Sequence, residues 1–105
     1  MTLDKILEEI NKADSIVILT HENPDGDAIG SSLAMYNILK AYGKNPDIII
    51  PEVSKIFNFL PGISEIKKES SVKEYDLAIS LDCPTIKRLN GFANYFENAK
   101  SKVVI

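Results

Sequence analysis

The single histidine of this chain stands just ahead of two aspartates that are two positions apart, in the order His21, Asp25 and Asp27. Carboxylates that crowd together repel one another unless protons or cations neutralise them. Carboxylate oxygens with one imidazole nitrogen suit a hard or borderline divalent cation, such as Mn²⁺ or Mg²⁺, better than a structural zinc ion. The three residues therefore predict a divalent metal site. The alternative is structural, because Pro-Asp-Gly is a common turn and Asp27 is an acceptable helix N-cap.

The segments on either side of this cluster have the patterns of a strand and a helix. Residues 15–20 form a short apolar run, which is typical of a buried parallel strand. Residues 28–42 carry apolar side chains at helical spacing, and Gly43 follows them as a predicted C-cap. Between the two segments, Pro24 stiffens a turn and Gly26 lets the backbone bend. In open α/β sheets, such a strand-to-helix loop borders the ligand crevice.

A second predicted strand also ends in a carboxylate. Residues 76–82 repeat the pattern of an apolar run that ends in a polar residue, here Asp82. The carboxyl ends of parallel strands meet at one edge of a sheet, so we expect Asp82 beside the first cluster. A carboxylate from a different strand can bridge two cations, as in two-metal sites for displacement at phosphorus. The alternative for Asp82 is a turn residue before Cys83 and Pro84.

Two further residues could contact an anionic substrate. Arg88 follows Asp82 closely and could hold a phosphate or carboxylate with two parallel hydrogen bonds. The alternative for Arg88 is a solvated helix face that it shares with Lys87. Ser31 could donate a hydrogen bond to a phosphate at the start of the predicted helix. The small residues at 30–32 are equally well explained if they let the helix pack close to the sheet.

Strand and helix patterns alternate along the chain. This alternation predicts an α/β fold, in which a parallel sheet carries helices on both faces. Further strands are predicted at 47–50, 63–67 and 102–105, and helical segments at 3–10, 55–60, 85–89 and 92–98. Thr2 is a suitable N-cap for the first of these helices.

The composition is that of a small soluble domain. The chain has 105 residues, 45% of them hydrophobic, and a net charge of −3, which gives no sign of a broad nucleic-acid footprint. Cys83 is the only cysteine, so an internal disulfide is excluded and a reducing compartment is favoured. No apolar run approaches the roughly 20 residues of a membrane span. The first residues also lack the apolar core of a secretory signal. We therefore expect a cytoplasmic protein without a membrane partner.

The motifs together resemble those of the DHH phosphoesterase family. The run at 21–31, His-x-x-Pro-Asp-Gly-Asp-Ala-Ile-Gly-Ser, is similar to the first motif of the family. Leu-Asp-Cys at 81–83, followed by Arg-Leu at 88–89, is similar to the second motif. The resemblance extends over essentially the whole chain, and the first motif is specific. The subgroup that the chain resembles most is that of the nano-RNases, which are related to the RecJ exonuclease.

The resemblance implies a role for each candidate ligand. By it, His21 and Asp25 hold one Mn²⁺ ion and Asp27 holds a second. Asp82 bridges both ions, and Asp27 and Asp82 are the catalytic carboxylates. Arg88 and Ser31 stay candidates for substrate binding. Mg²⁺ is a possible substitute for Mn²⁺ at both positions.

The resemblance also predicts what the chain contains. By it, residues 1–105 are the N-terminal portion of a DHH phosphoesterase domain. The Asp-His-His motif of the family should follow the strand at 102–105, and a C-terminal substrate-binding domain should come later. Neither lies within these 105 residues. We therefore expect a fragment or a truncated chain, inactive by itself.

For the complete protein, the resemblance implies hydrolysis of a phosphate ester by water that two metal ions activate. The expected substrates are short RNA or DNA oligonucleotides, or a phosphorylated nucleotide such as 3′-phosphoadenosine 5′-phosphate. A manganese-dependent inorganic pyrophosphatase and a cyclic-dinucleotide phosphodiesterase are alternatives within the family. A non-catalytic cation- or nucleotide-binding module is the alternative from another class, although Lys102 comes too early in its strand for a receiver-like site. A homodimer is a further possibility that the sequence leaves open.

Overall fold

A computed structural model describes residues 2–20, 26–50, 52–81 and 93–105 of the chain. Strands and helices alternate through these residues. The helices are α1 (Leu3–Lys12), α2 (Gly26–Ala41) and α3 (Ala93–Asn98). The strands are β1 (Ile16–Thr20), β2 (Asp47–Ile49), β3 (Ile66–Lys67), β4 (Leu77–Leu81) and β5 (Ser101–Val104), and short 3₁₀ helices span Lys55–Phe57 and Ile63–Glu65.

The five described strands form one parallel sheet in the order β3-β2-β1-β4-β5. β1 lies at the centre and pairs with β4 along its whole length, from Ile16 opposite Leu77 to Thr20 opposite Leu81. Because all strands run the same way, their carboxyl ends lie at one edge of the sheet. The last residues of β1 and β4, Thr20 and Leu81, therefore lie side by side.

β1 and β4 are buried along their whole lengths, as their mainly apolar sequences predict. Alternate side chains enter two separate core layers. One layer contains Ile18, Ile79 and the apolar face of α1 and α2, including Ile10 and Leu33. The other layer contains Val17, Leu19, Ala78 and Phe96 of α3. The sheet thus has helices on both faces, which confirms the predicted α/β fold.

The ends of the two long helices follow from local chemistry. The Thr2 side chain accepts a hydrogen bond from the Lys5 backbone N–H and caps α1 as predicted. α2 ends in a left-handed turn at Gly43, whose φ of 83° suits a residue without Cβ. The Lys44 N–H returns to the Leu39 carbonyl at 2.9 Å, which closes the helix.

The element boundaries depart from the sequence prediction most clearly in two places. α2 begins at Gly26, two residues earlier than predicted. The strand expected over 63–67 is a 3₁₀ helix over Ile63–Glu65 followed by the two-residue β3. The predicted helix at 85–89 lies outside the described residues. In the part of the chain that is described, no helix combines the length and hydrophobicity that a membrane span requires.

Candidate active site

A cavity of about 470 Å³ opens at the carboxyl edge of the sheet. Of the residues that the structure describes, Asp27, Ser31, Leu81 and Ile105 line it. Leu81 is the last residue of β4, and Ile105 follows β5 directly. Asp27 and Ser31 come from the first turns of α2. The cavity therefore lies where parallel α/β sheets place their ligands.

Asp27 belongs to the helix rather than to the loop before it. It is exposed and lies in the first turn of α2, where the partial positive charge of the helix N-terminus favours a carboxylate. The N-cap alternative for Asp27 is therefore wrong, because the helix has already begun at Gly26. An exposed carboxylate on a cavity wall is free to bind a cation there.

Ser31 and Ser32 have different environments although they are adjacent. Ser31 is exposed and follows Asp27 by four residues, so both lie on the helix face towards the cavity. Ser32 is fully buried, and its hydroxyl donates to the Ala28 carbonyl at 2.8 Å. Gly30 is exposed, and a Cβ built there would meet nothing within 4 Å. Close packing against the sheet therefore explains Ser32 but neither Ser31 nor Gly30.

Gly26 does not have the role that the turn pattern suggests. Its φ is not positive, since Gly43 and Gly62 are the positive-φ glycines among the described residues. A Cβ built on Gly26 would lie 3.5 Å from Cε1 of Phe57, an ordinary van der Waals distance. The 3₁₀ helix after β2 thus packs against the start of α2 and supports it from the side.

The remaining predicted site residues, His21, Asp25, Asp82 and Arg88, lie outside the described residues, and their assignments stay predictions. Within the described ranges, no group of three His, Cys, Asp or Glu side chains could hold a metal ion. The donor chemistry present still suits one, because Asp27 offers carboxylate oxygens.

One hydrogen bond at the carboxyl edge involves Thr20, a residue that the sequence motifs do not include. The hydroxyl of Thr20 donates to the Leu81 carbonyl at 2.8 Å, between the last residues of β1 and β4. Thr20 is fully buried and Leu81 is 5% exposed. In the sequence, a polar residue at the end of the apolar run 15–20 is only a weak indication of such a hydrogen bond. The acceptor of the bond could not be identified from the sequence, because it depends on how two distant strands pair.

At the amino edge of the sheet, the carboxylates Asp76 and Asp47 form hydrogen bonds within the protein. Asp76 accepts hydrogen bonds from the backbone N–H groups of Asp14 and Ser15, at 2.8 and 3.3 Å, and these bonds lower the pKa of its carboxyl. Burial raises the pKa of Tyr75, whose hydroxyl contacts Asp47 at 2.7 Å. Lys102 also points this way, because its Nζ donates to the Ala99 carbonyl. Lys102 is therefore not a cavity residue, as its early position in β5 predicts.

Comparison with known proteins agrees with the motif resemblance. A bifunctional oligoribonuclease and PAP phosphatase NrnA from Thermus thermophilus is 44% identical over 59 residues, which are 54% of this chain and 18% of that protein. The protein of the same name from Mycoplasma genitalium is 27% identical over 82 residues, covering 77% of this chain and 26% of its own length. The chain thus spans about a quarter or less of these curated relatives.

Solved structures agree on the fold. The crystal structure of an exopolyphosphatase-related protein from Bacteroides fragilis superposes with a TM-score of 0.87 at 29% sequence identity. The match covers 97% of this chain and 33% of that one. The sequence model described as "DHH family, N-terminal domain" matches residues 15–105. With most of its length matched, this chain belongs to the DHH family, to whose N-terminal domain it corresponds.

Proposed function

We propose that the protein at its natural length is a metal-dependent phosphoesterase, and that the cavity at the carboxyl edge of the sheet is part of its active site. The observation that carries this proposal is the shared wall of Asp27, Ser31, Leu81 and Ile105. It joins a carboxylate and a hydroxyl from one helix to the ends of two neighbouring strands. Membership of the DHH family supports the same reaction class.

The residues of this chain have separate tasks in the proposed reaction. Asp27, with His21, Asp25 and Asp82, would hold the divalent ions, for which we propose Mn²⁺. When bound, two such ions would lower the pKa of a water molecule and stabilise negative charge on the oxygens of the phosphate. Ser31 would donate a hydrogen bond to a phosphate oxygen beside the ions. The positive end of the α2 dipole also favours an anion at the same place.

The substrate class follows from the relatives. The names of both curated relatives support short oligoribonucleotides and 3′-phosphoadenosine 5′-phosphate as first candidates. The name of the Bacteroides fragilis protein makes polyphosphate a second candidate. We also propose that the protein is cytoplasmic, where it would encounter these nucleotides and oligonucleotides. The 105-residue polypeptide lacks the Asp-His-His triplet of the family, and we expect no turnover from it alone.

Hydrolysis assays on the protein at its natural length test the proposal. Short oligoribonucleotides, 3′-phosphoadenosine 5′-phosphate, polyphosphate, pyrophosphate and cyclic dinucleotides are compared with Mn²⁺, with Mg²⁺ and with a chelator. We expect metal-dependent release of mononucleotide or phosphate from one of the first two substrates. Preference for pyrophosphate or a cyclic dinucleotide would select another branch of the family. Equal activity with chelator would contradict the metal-dependent mechanism.

A further inference from the structure

Thr20 is the one residue of β1 with a polar side chain, and that side chain is fully buried. The other four residues of the strand are Ile, Val, Ile and Leu. Burial of a hydroxyl is unfavourable unless it forms a hydrogen bond, and valine would fill the same branched shape without that requirement. The specific contribution of Thr20 is therefore its bond to the Leu81 carbonyl at 2.8 Å.

This bond joins the two strand ends from which the predicted ligands continue. Thr20 directly precedes His21, and Leu81 directly precedes Asp82. The Leu81 carbonyl belongs to the planar peptide that links Leu81 to Asp82. A donor that holds this carbonyl therefore restrains the direction in which the chain leaves β4. Because the donor is attached to the last residue of β1, it also fixes one strand end relative to the other.

We propose that Thr20 is a positioning residue, which sets the geometry of the metal centre through its bond to the Leu81 carbonyl. The inference rests on the proposed function, because it assigns His21 and Asp82 as ligands. Metal ligands depend on the groups that orient them, and loss of such a group typically lowers metal affinity by about 10- to 100-fold. Thr20 would act in this way through the backbone, without touching the ions.

The same pair of strands offers a matched control at its opposite end. At the amino edge, the Ser15 hydroxyl accepts a hydrogen bond from the Asp76 backbone N–H at 2.9 Å. Ser15→Ala removes one side chain-to-backbone hydrogen bond between the segments that lead into β1 and β4. Thr20→Val removes one such bond at the opposite, carboxyl edge of the same two strands. Each variant loses one side chain-to-backbone hydrogen bond, but only Thr20 lies next to the predicted ligands in sequence.

The test measures the Mn²⁺ dissociation constant by isothermal titration, and the metal-free Tm, for the protein at its natural length. We expect weaker binding by about 10-fold or more in Thr20→Val. Thr20→Ser keeps the donor and should restore the wild-type affinity. Ser15→Ala should lower the metal-free Tm and leave the affinity unchanged.

Two contrary results have different meanings. If wild-type protein binds Mn²⁺ and Thr20→Val binds it equally well, Thr20 has only a structural role and the inference is wrong. If wild-type protein binds no divalent ion, the proposed function fails and the inference fails with it. If Thr20→Val does not fold, Thr20→Ser is the deciding variant. It keeps the hydroxyl, so weaker Mn²⁺ binding by Thr20→Ser would contradict a role of the hydroxyl.

Discussion

Asp27 and Leu81 line one cavity, although one begins a helix and the other ends a strand that comes much later in the chain. The parallel pairing of β1 with β4 brings them together, because it places Leu81 at the end of β4 beside Thr20, the last residue of β1, and α2 is the next helix along the chain. Two chain segments that the motif pattern marks as chemically active thus converge at one edge of the sheet. This convergence is the physical basis of the proposed site.

The Ser31 hydroxyl should matter for the substrate and not for the metal. In Ser31→Ala we expect KM for the phosphate substrate to rise by about 10- to 100-fold, because a hydrogen bond to a charged group is lost. The dissociation constant for Mn²⁺ should stay unchanged. Steady-state kinetics and metal titration measure the two effects separately.

Ser32→Ala is the matched control for that experiment. The Ser32 hydroxyl is buried and bonded within α2, so its loss should change the free energy of unfolding by less than about 1 kcal/mol. In Ser32→Ala, KM for the phosphate substrate should stay at the wild-type value. A KM change of equal size in both variants would show that the helix, and not the Ser31 hydroxyl, is the cause.

Much of the fold could be predicted because its signals are local. The runs 15–20 and 76–82 are mainly apolar and lack the strict alternation of a half-buried strand, and they contain the fully buried strands β1 and β4. The sequence predicts too late a start for α2, because Gly26 is a poor helix former and Asp27 is a frequent N-cap. The structure instead places Phe57 against Gly26, a contact between segments that no local pattern contains.

The site could be predicted only in part for the same reason. Helical spacing separates Ser31, four residues after Asp27, from Ser32, four residues after Ala28, and the two pairs lie on different helix faces. Sequence spacing could therefore have distinguished the serines once the helix was assigned. The bond from Thr20 to Leu81 could not be predicted in this way, because it depends on the register of two strands distant in sequence.

Asp76 should make the stability of the fold depend on acidic pH. Hydrogen bonds from the backbone N–H groups of Asp14 and Ser15 lower the pKa of the folded carboxyl below that of the unfolded chain. Its contribution to the free energy of unfolding is complete above the unfolded pKa, about 3.9, and is lost as pH falls through the lower folded pKa. Asp76→Asn should therefore be less stable than wild type at pH 7, by a difference that shrinks below pH ~4.

Denaturant unfolding at a series of pH values measures that difference. Ser15→Ala serves as its control, because it removes the reciprocal bond to the Asp76 N–H without changing any charge. Its loss of stability should be nearly independent of pH. A pH-independent difference for Asp76→Asn would contradict the assigned role of the ionised carboxyl.

Two glycines of α2 should respond in opposite directions to the same substitution. Gly30 lies inside the helix with open space where a Cβ would be, so Gly30→Ala should stabilise the fold by about 0.5–1 kcal/mol. Gly43 has a φ of 83°, and Gly43→Ala should cost about 1–2 kcal/mol. Thermal unfolding of both variants checks the signs. Destabilisation by Gly30→Ala would mean that another surface covers this face of α2.

The most direct test of the account is a titration of Mn²⁺ into the protein at its natural length, for wild type and Asp27→Asn. Asp4→Asn is the control, because Asp4 is also an acidic first-turn residue, at the start of α1. If Asp27 is a metal ligand, Asp27→Asn weakens Mn²⁺ binding by at least about 10-fold while Asp4→Asn binds as wild type does. Equal affinity in all three proteins would show that Asp27 serves only the helix terminus, and would contradict a metal centre in this cavity.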